Sequence, residues 1–169
     1  MRKLISFVAI TTVIFLSSCI KNHLTVWTQT RVELDAATWN GNAVGLTYPI
    51  VNRVPVYGAA VSSLNQPSLL SRTTAPFQIR VNLVGPQSKT DTPISYRIAP
   101  ESTAISGVHY SALSGSTVIP ANSSFGYITI TPLNPGATSG SVVLVIELLN
   151  STVQVSVNYN KVGLSIAQN

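Results

Sequence analysis

Two histidines, one cysteine and five carboxylates are all that the chain has for proton transfer, thiol chemistry or metal binding. His23 lies close to the N-terminus, which leaves His109 as the one imidazole in the body of the chain. No serine sits in a GxSxG setting, and no HExxH or CxxC spacing exists. A glycosidase needs two opposed carboxylates across a defined gap. Here Glu33 and Asp35 fall on one side of an extended segment, where they read as a solvated edge, and Asp91, Glu101 and Glu147 are isolated. No catalytic residue, metal ligand or cofactor is assigned, and the chain is expected not to be an enzyme. Binding chemistry is richer, because Trp27, Trp39, Tyr48 and Tyr57 concentrate in the first third. Trp39 (beside the Asn40-Gly41 turn), Tyr48 and Tyr57 are the candidate ligand-binding residues. Exposed aromatics of this kind stack on sugar rings or pack on a partner protein, and otherwise they fill a core, which is the preferred reading for Trp27.

The remaining reactive group is Cys19, whose setting is an address. Arg2-Lys3 is a positive n-region, and Leu4 to Leu16 is an apolar run too short for the roughly 20 residues of a membrane-spanning helix but suited to a signal-peptide h-region. The run ends in Leu16-Ser17-Ser18-Cys19, which resembles the lipobox of bacterial lipoproteins. The small serines let the extended peptide enter a peptidase, and the Cys19 thiolate is the nucleophile that takes the diacylglycerol. Residues 1–18 are therefore expected to be a lipoprotein signal peptide, 19–24 a lipidated tether and 25–169 the folded domain. Two or three acyl chains of the palmitate type, at about 0.8 kcal/mol per buried methylene, make such an anchor permanent. By resemblance to Gram-negative sorting rules, Ile20 in place of aspartate directs the chain to the outer membrane, on its periplasmic or its cell-surface face.

The elements that must position the aromatics are strands. Only 9% of residues are charged, against roughly 25% in typical globular domains. The chain is long enough for one core. Its net charge of +5 does not signal nucleic acid. Arg2 and Lys3 belong to the leader, the other basic residues are scattered singly, and the basic stripe of a nucleic-acid binder is missing. Phe77, Ile79, Val81 and Leu83 alternate with Gln78, Arg80, Asn82 and Val84, the pattern of a half-buried strand. Further strands are expected at Leu24 to Leu34, Gly45 to Val51, Arg53 to Tyr57, Ile94 to Ile98, Thr117 to Ile119, Tyr127 to Ile130, through SVVLVIELL after Gly140, and from Val153 to Ile166 with a bend at Asn158 to Lys161. No amphipathic helix is visible. Seven to nine strands with turns at this spacing predict an all-β, immunoglobulin-like sandwich.

Within it, Tyr96-Arg97-Ile98, Ser102-Thr103-Ala104, Gly107-Val108-His109-Tyr110, Val118-Ile119-Pro120-Ala121-Asn122 and Tyr127-Ile128-Thr129-Ile130 follow one another in an order that resembles Calx-beta domains. It is also similar to the Calx-beta-like domains of small Bacteroidota lipoproteins of unknown function, where a VEL-Asp segment like Val32 to Asp35 recurs. The resemblance implies a corner at Gly107 to Tyr110, with Gly107 at positive φ and Tyr110 laid over the end of the sandwich, its hydroxyl on a backbone group. Calx-beta domains that bind calcium use clustered carboxylates, and His109 stands here where they carry an aspartate, so inherited calcium binding is not expected. The expected function is that of a non-catalytic outer-membrane lipoprotein, an accessory or ligand-binding component of an envelope uptake system with a glycan as ligand. The alternative is a structural or adhesive module that binds protein. The expected partners are the membrane, through Cys19, and an outer-membrane transporter or other envelope protein.

Overall fold

The computed structural model describes residues 29–57 and 66–169. The expected signal peptide, Cys19, the expected tether and Trp27 lie outside the described residues, as does the start of the strand expected from Leu24. The described residues form β1 (Arg31–Leu34), α1 (Asp35–Trp39), β2 (Ile50–Val51), β3 (Phe77–Val84), β4 (Thr92–Ile98), β5 (Ser116–Ile119), β6 (Phe125–Ile130), β7 (Ser141–Leu149), β8 (Gln154–Val155) and β9 (Lys161–Ala167). One sheet has the order β6-β3-β1-β8 and the other β2-β9-β7-β4-β5.

Alternation decides which residues meet between the sheets. Phe77, Ile79, Val81 and Leu83 of β3 face inward, with Ile128 and Ile130 of β6 and Val32 and Leu34 of β1. From the other sheet come Ile94 and Tyr96 of β4, Leu144 and Ile146 of β7, and Leu164 and Ile166 of β9. β7 is central in its sheet, and Val145 on its outer face is buried as well, which accounts for its near-continuous apolar run. At one margin the sheets close on each other: Gly126 of β6 lies so near β5 that a Cβ there would stand 2.8 Å from the Val118 carbonyl oxygen. Thr117 Oγ1 donates to the Tyr127 carbonyl across the same seam, at 2.7 Å.

The corner between β4 and β5 is built from the residues of the motif. Ser102 Oγ accepts from the Val145 N–H and Thr103 Oγ1 from the Val143 N–H, both at 2.8 Å, so two hydroxyls continue the ladder along β7 after β4 has left it. Gly107 has φ of 78°, as the reversal requires. Tyr110 is buried, and its hydroxyl meets the side chain of Ser106 rather than a backbone group. His109 Nδ1 accepts from the Ile105 N–H at 2.9 Å, a structural bond that fixes the turn.

Three expectations are corrected. Val153 to Ile166 is not one bent strand: β8 pairs in parallel with β1, and the chain then crosses to the other sheet, where β9 pairs with β7. The strand expected over Arg53 to Tyr57 is reduced to one bridge, Arg53 to Leu69, where Asn52–Val54 lies against Ser68–Leu70. Residues 35–39, outside every expected strand, form a helix of one turn. Ala36 and Ala37 bury its inner side, Thr38 Oγ1 bonds back to the Asp35 carbonyl, and Asn40 Nδ2 donates to the Ala36 carbonyl at its end.

Candidate binding site

The short helix follows from the early end of β1. Leu34 pairs with Val81, which leaves the first half of β3 without a strand on that side. Asp35 then turns in and is only 4% exposed, with Oδ1 at 2.7 Å from Arg80 Nη2 and 2.9 Å from Asn82 Nδ2. The solvated edge expected for Asp35 is therefore wrong, because its carboxylate neutralises a guanidinium planted on β3. That guanidinium lies between two rings, with its central carbon 4.5 Å from the centroids of both Tyr57 and Phe125.

Tyr57 also supplies what the missing strand would have supplied. Its hydroxyl accepts from the Arg80 N–H at 2.9 Å and donates to the Gln78 carbonyl at 3.3 Å, so one side chain occupies two of the backbone groups on the edge that β1 leaves behind. Burial pushes the pKa of the hydroxyl up to about 12, with the Arg80 N–H acting in the opposite direction. Tyr57 packs edge-on to Tyr127 at 6.4 Å. It is thus a half-buried brace and not a free stacking surface.

Tyr48 is likewise removed from the surface. It is 7% exposed and packs with Ala99 and Val145 on the outside of the second sheet, and the Lys161 ammonium lies 5.4 Å from its ring centroid. Burial raises the pKa of its hydroxyl above the ordinary tyrosine value. A charged row crosses the same sheet: Glu147 bonds Arg97 at 2.7 Å, and Lys161 reaches Glu101 at 2.7 Å and Glu147 at 3.7 Å. The hydrogen bond from Lys161 holds the Glu101 carboxyl below its usual range.

Trp39 remains. It is 81% exposed at the end of α1 and stands as a ridge between two clefts. One, of about 560 Å³, is walled by Ile50, Val54, Pro55 and Tyr57, with Asp35 and Arg80 also lining it. The other, of about 860 Å³, is polar and lined by Asn42, Thr47, Asn158, Asn160, Glu147 and Lys161. Of the three aromatics singled out in the sequence, Trp39 and Tyr57 share a cleft and Tyr48 stands apart. Asp35 and Arg80 were missed, and the only signal was the outward register of Arg80 on β3.

Two sheets, nine strands among the described residues and the Gly107 to Tyr110 corner define a Calx-beta-like β-sandwich. Over 83% of its length the chain superposes on 98% of the apo form of the Calx CBD1 domain, at 15% identity and a TM-score of 0.55. It also superposes on the calcium binding domain CBD12 of CALX1.1, at 19% identity and a TM-score of 0.50, over 58% of this chain and 40% of that one. No protein-family model and no curated protein matches the chain. Calcium needs six to eight oxygen ligands. Among the described residues no three His, Cys, Asp or Glu side chains come together. Asp35, Glu101 and Glu147 are paired with cations, and Asp91 accepts from the Ala121 N–H at 2.9 Å. This donor set does not fit the ion.

Proposed function

We propose that the protein is a non-catalytic, lipid-anchored binding lipoprotein of the outer membrane that takes a glycan at Trp39, as an accessory to an envelope uptake system. The observation that carries the binding reading is the exposure of Trp39 on a one-turn helix between two clefts. An indole fixed in that position offers a flat apolar face to the C–H side of a sugar ring, and its rigid mount lowers the entropy lost on binding. The anchor rests on the order of Arg2-Lys3, the apolar run and Leu16-Ser17-Ser18-Cys19.

Glycan-array binding that is present in the wild type and lost in Trp39→Ala, with unchanged thermal unfolding, is the expected result. Hydrolysis of a glycan or peptide that disappears in His109→Ala would overturn it in favour of an enzyme. Cys19→Ala should release the protein from membranes, and retention of that variant in the membrane fraction would defeat the lipid anchor. Val44 and Val157, apolar and exposed at the surface like Trp39, favour a second reading as a protein-binding envelope module. Pull-down of a transporter or adhesin without glycan binding would select it.

A further inference from the structure

We infer that the ligand is an uncharged, hydroxyl-rich oligosaccharide seated on the amide-lined side of Trp39, a conclusion that rests on the binding reading above. Among the described residues, the side chains of Asn42, Thr47, Asn158 and Asn160 make no hydrogen bond to protein, although all four line the polar cleft beside Trp39. A carboxamide offers donors and an acceptor in one plane, which matches the neighbouring hydroxyls of a pyranose, each both donor and acceptor. An indole beside three such amides therefore covers both halves of a sugar, its apolar C–H face and its polar rim.

The charges in the clefts decide the class. Lys161 is the cation of the polar cleft, and it is committed to Glu101 and Glu147 and lies against the ring of Tyr48. Glu147 is committed in turn to Arg97. A uronate or sulfate entering there meets the Glu147 carboxylate and an ammonium that two carboxylates already hold, and an amino sugar meets the ammonium itself. On the far side of the ridge, Asp35 and Arg80 close on each other in the same way. Every formal charge that lines either cleft beside Trp39, other than Arg53, is thus balanced within the protein. Arg53 lies in the apolar cleft, where Nη1 donates to the Pro67 carbonyl. A lipid surface would want apolar and basic groups at the tip rather than free amides.

The test is calorimetric titration of the full chain in mild detergent with soluble neutral polysaccharides (glucan, mannan, xylan, galactan) and anionic ones (polygalacturonate, alginate, chondroitin sulfate). Vesicles of phosphatidylethanolamine and phosphatidylglycerol form a separate arm. The expected result is binding to at least one neutral polymer and to no anionic one. Trp39→Ala should weaken it about tenfold or more, as loss of an aromatic anchor does. The Asn158→Ala/Asn160→Ala double variant should weaken it about fivefold through lost hydrogen bonds. Both variants are to be checked for unchanged denaturation. Trp39-dependent binding confined to the anionic polymers would overturn this inference and leave the glycan reading standing. Trp39-dependent binding to vesicles alone, beyond what the lipid anchor gives, or binding to no polymer, would overturn both.

Discussion

Replacing Tyr57 by Phe removes one oxygen and keeps the ring, so it isolates the surrogate-strand role. The ring would still stand 4.5 Å from the Arg80 guanidinium and 6.4 Å from Tyr127. The losses are the acceptor for the Arg80 N–H and the donor to the Gln78 carbonyl. Gln78 is exposed, so water takes over its longer bond. The Arg80 N–H is half-buried beneath Tyr57 and sets the cost at about 1–2 kcal/mol, the lower part of the range for an orphaned buried donor. In a domain of this size that corresponds to a fall of roughly 3–8 °C in Tm. Urea denaturation gives the energy, and amide exchange read by NMR should show the Arg80 N–H losing protection ahead of its neighbours in β3. A pH series adds an independent check. The folded state raises the pKa of the hydroxyl from 10.0 to about 12, so the stability it contributes is complete below pH 10 and is lost as pH rises through about 12. The gap between wild type and Tyr57→Phe should therefore narrow over that window. A variant within about 0.5 kcal/mol of wild type, the range of an inconsequential surface change, with Arg80 protection intact would refute the reasoning.

Asp35→Ala should cost about 3 kcal/mol, because it strands a largely buried guanidinium. Asp35→Leu combined with Arg80→Met should recover most of that in urea denaturation, and a double variant no better than the single one would contradict the ion-pair account. Gly126→Ala places a Cβ 2.8 Å from the Val118 oxygen and from Ile119 Cγ1, and should destabilise by about 1–3 kcal/mol while loosening the seam between β5 and β6. A wild-type Tm would show that the seam can yield. The pKa of Glu33 is raised above its ordinary value first by burial and further by the Asp35 carboxylate, against a hydrogen bond from Asn82. Its contribution is therefore greatest in acid and is lost as pH rises through its folded value. Glu33→Gln should be more stable than wild type at pH 7, by roughly a few tenths of a kcal/mol since the side chain is only partly buried and solvent screens it. The advantage should vanish in acid, and its persistence there would point to packing instead.

The strands were legible wherever one face meets the core and the other meets water. β3 could be read residue by residue, because Phe77 to Val84 alternates strictly, with every second residue packed between the sheets. The corner was legible from Gly107 and Tyr110, since a positive φ and a buried ring have strong residue preferences. The helix was not, because five residues span little more than one turn and leave no periodicity to detect. Nor could alternation show that residues 154 to 167 divide between two sheets, since β8 and β9 each continue an extended pattern. The site was least legible where partners are distant in sequence. Asp35 and Arg80 are 45 residues apart, Tyr57 and Arg80 are 23 apart, and neither pairing leaves a local trace. The aromatics were sorted by the next few residues of the chain. Trp39 ends α1, where Asn40 leaves the helix in an extended conformation, and stays outside, whereas Tyr48 precedes Pro49 and β2, whose pairing with β9 draws it onto the second sheet.

The cleft and the brace have one origin. Had β1 run the length of β3, a strand would fill the place now taken by Tyr57, and there would be no helix to raise Trp39. Because β1 stops at Leu34, Asp35 turns inward to meet Arg80, α1 lifts the indole clear of the sheet, and Tyr57 comes in to occupy the backbone groups left open. The repair is made by one side chain rather than a strand, so a space of about 560 Å³ is left beside it. Stability and binding are therefore coupled at Asp35, which fixes the start of the helix that raises the indole, and separable at Trp39, which only projects from it. Substitution of Asp35 should disturb both properties together, whereas Tyr57→Phe should lower stability alone and Trp39→Ala should remove binding and leave the fold as it was.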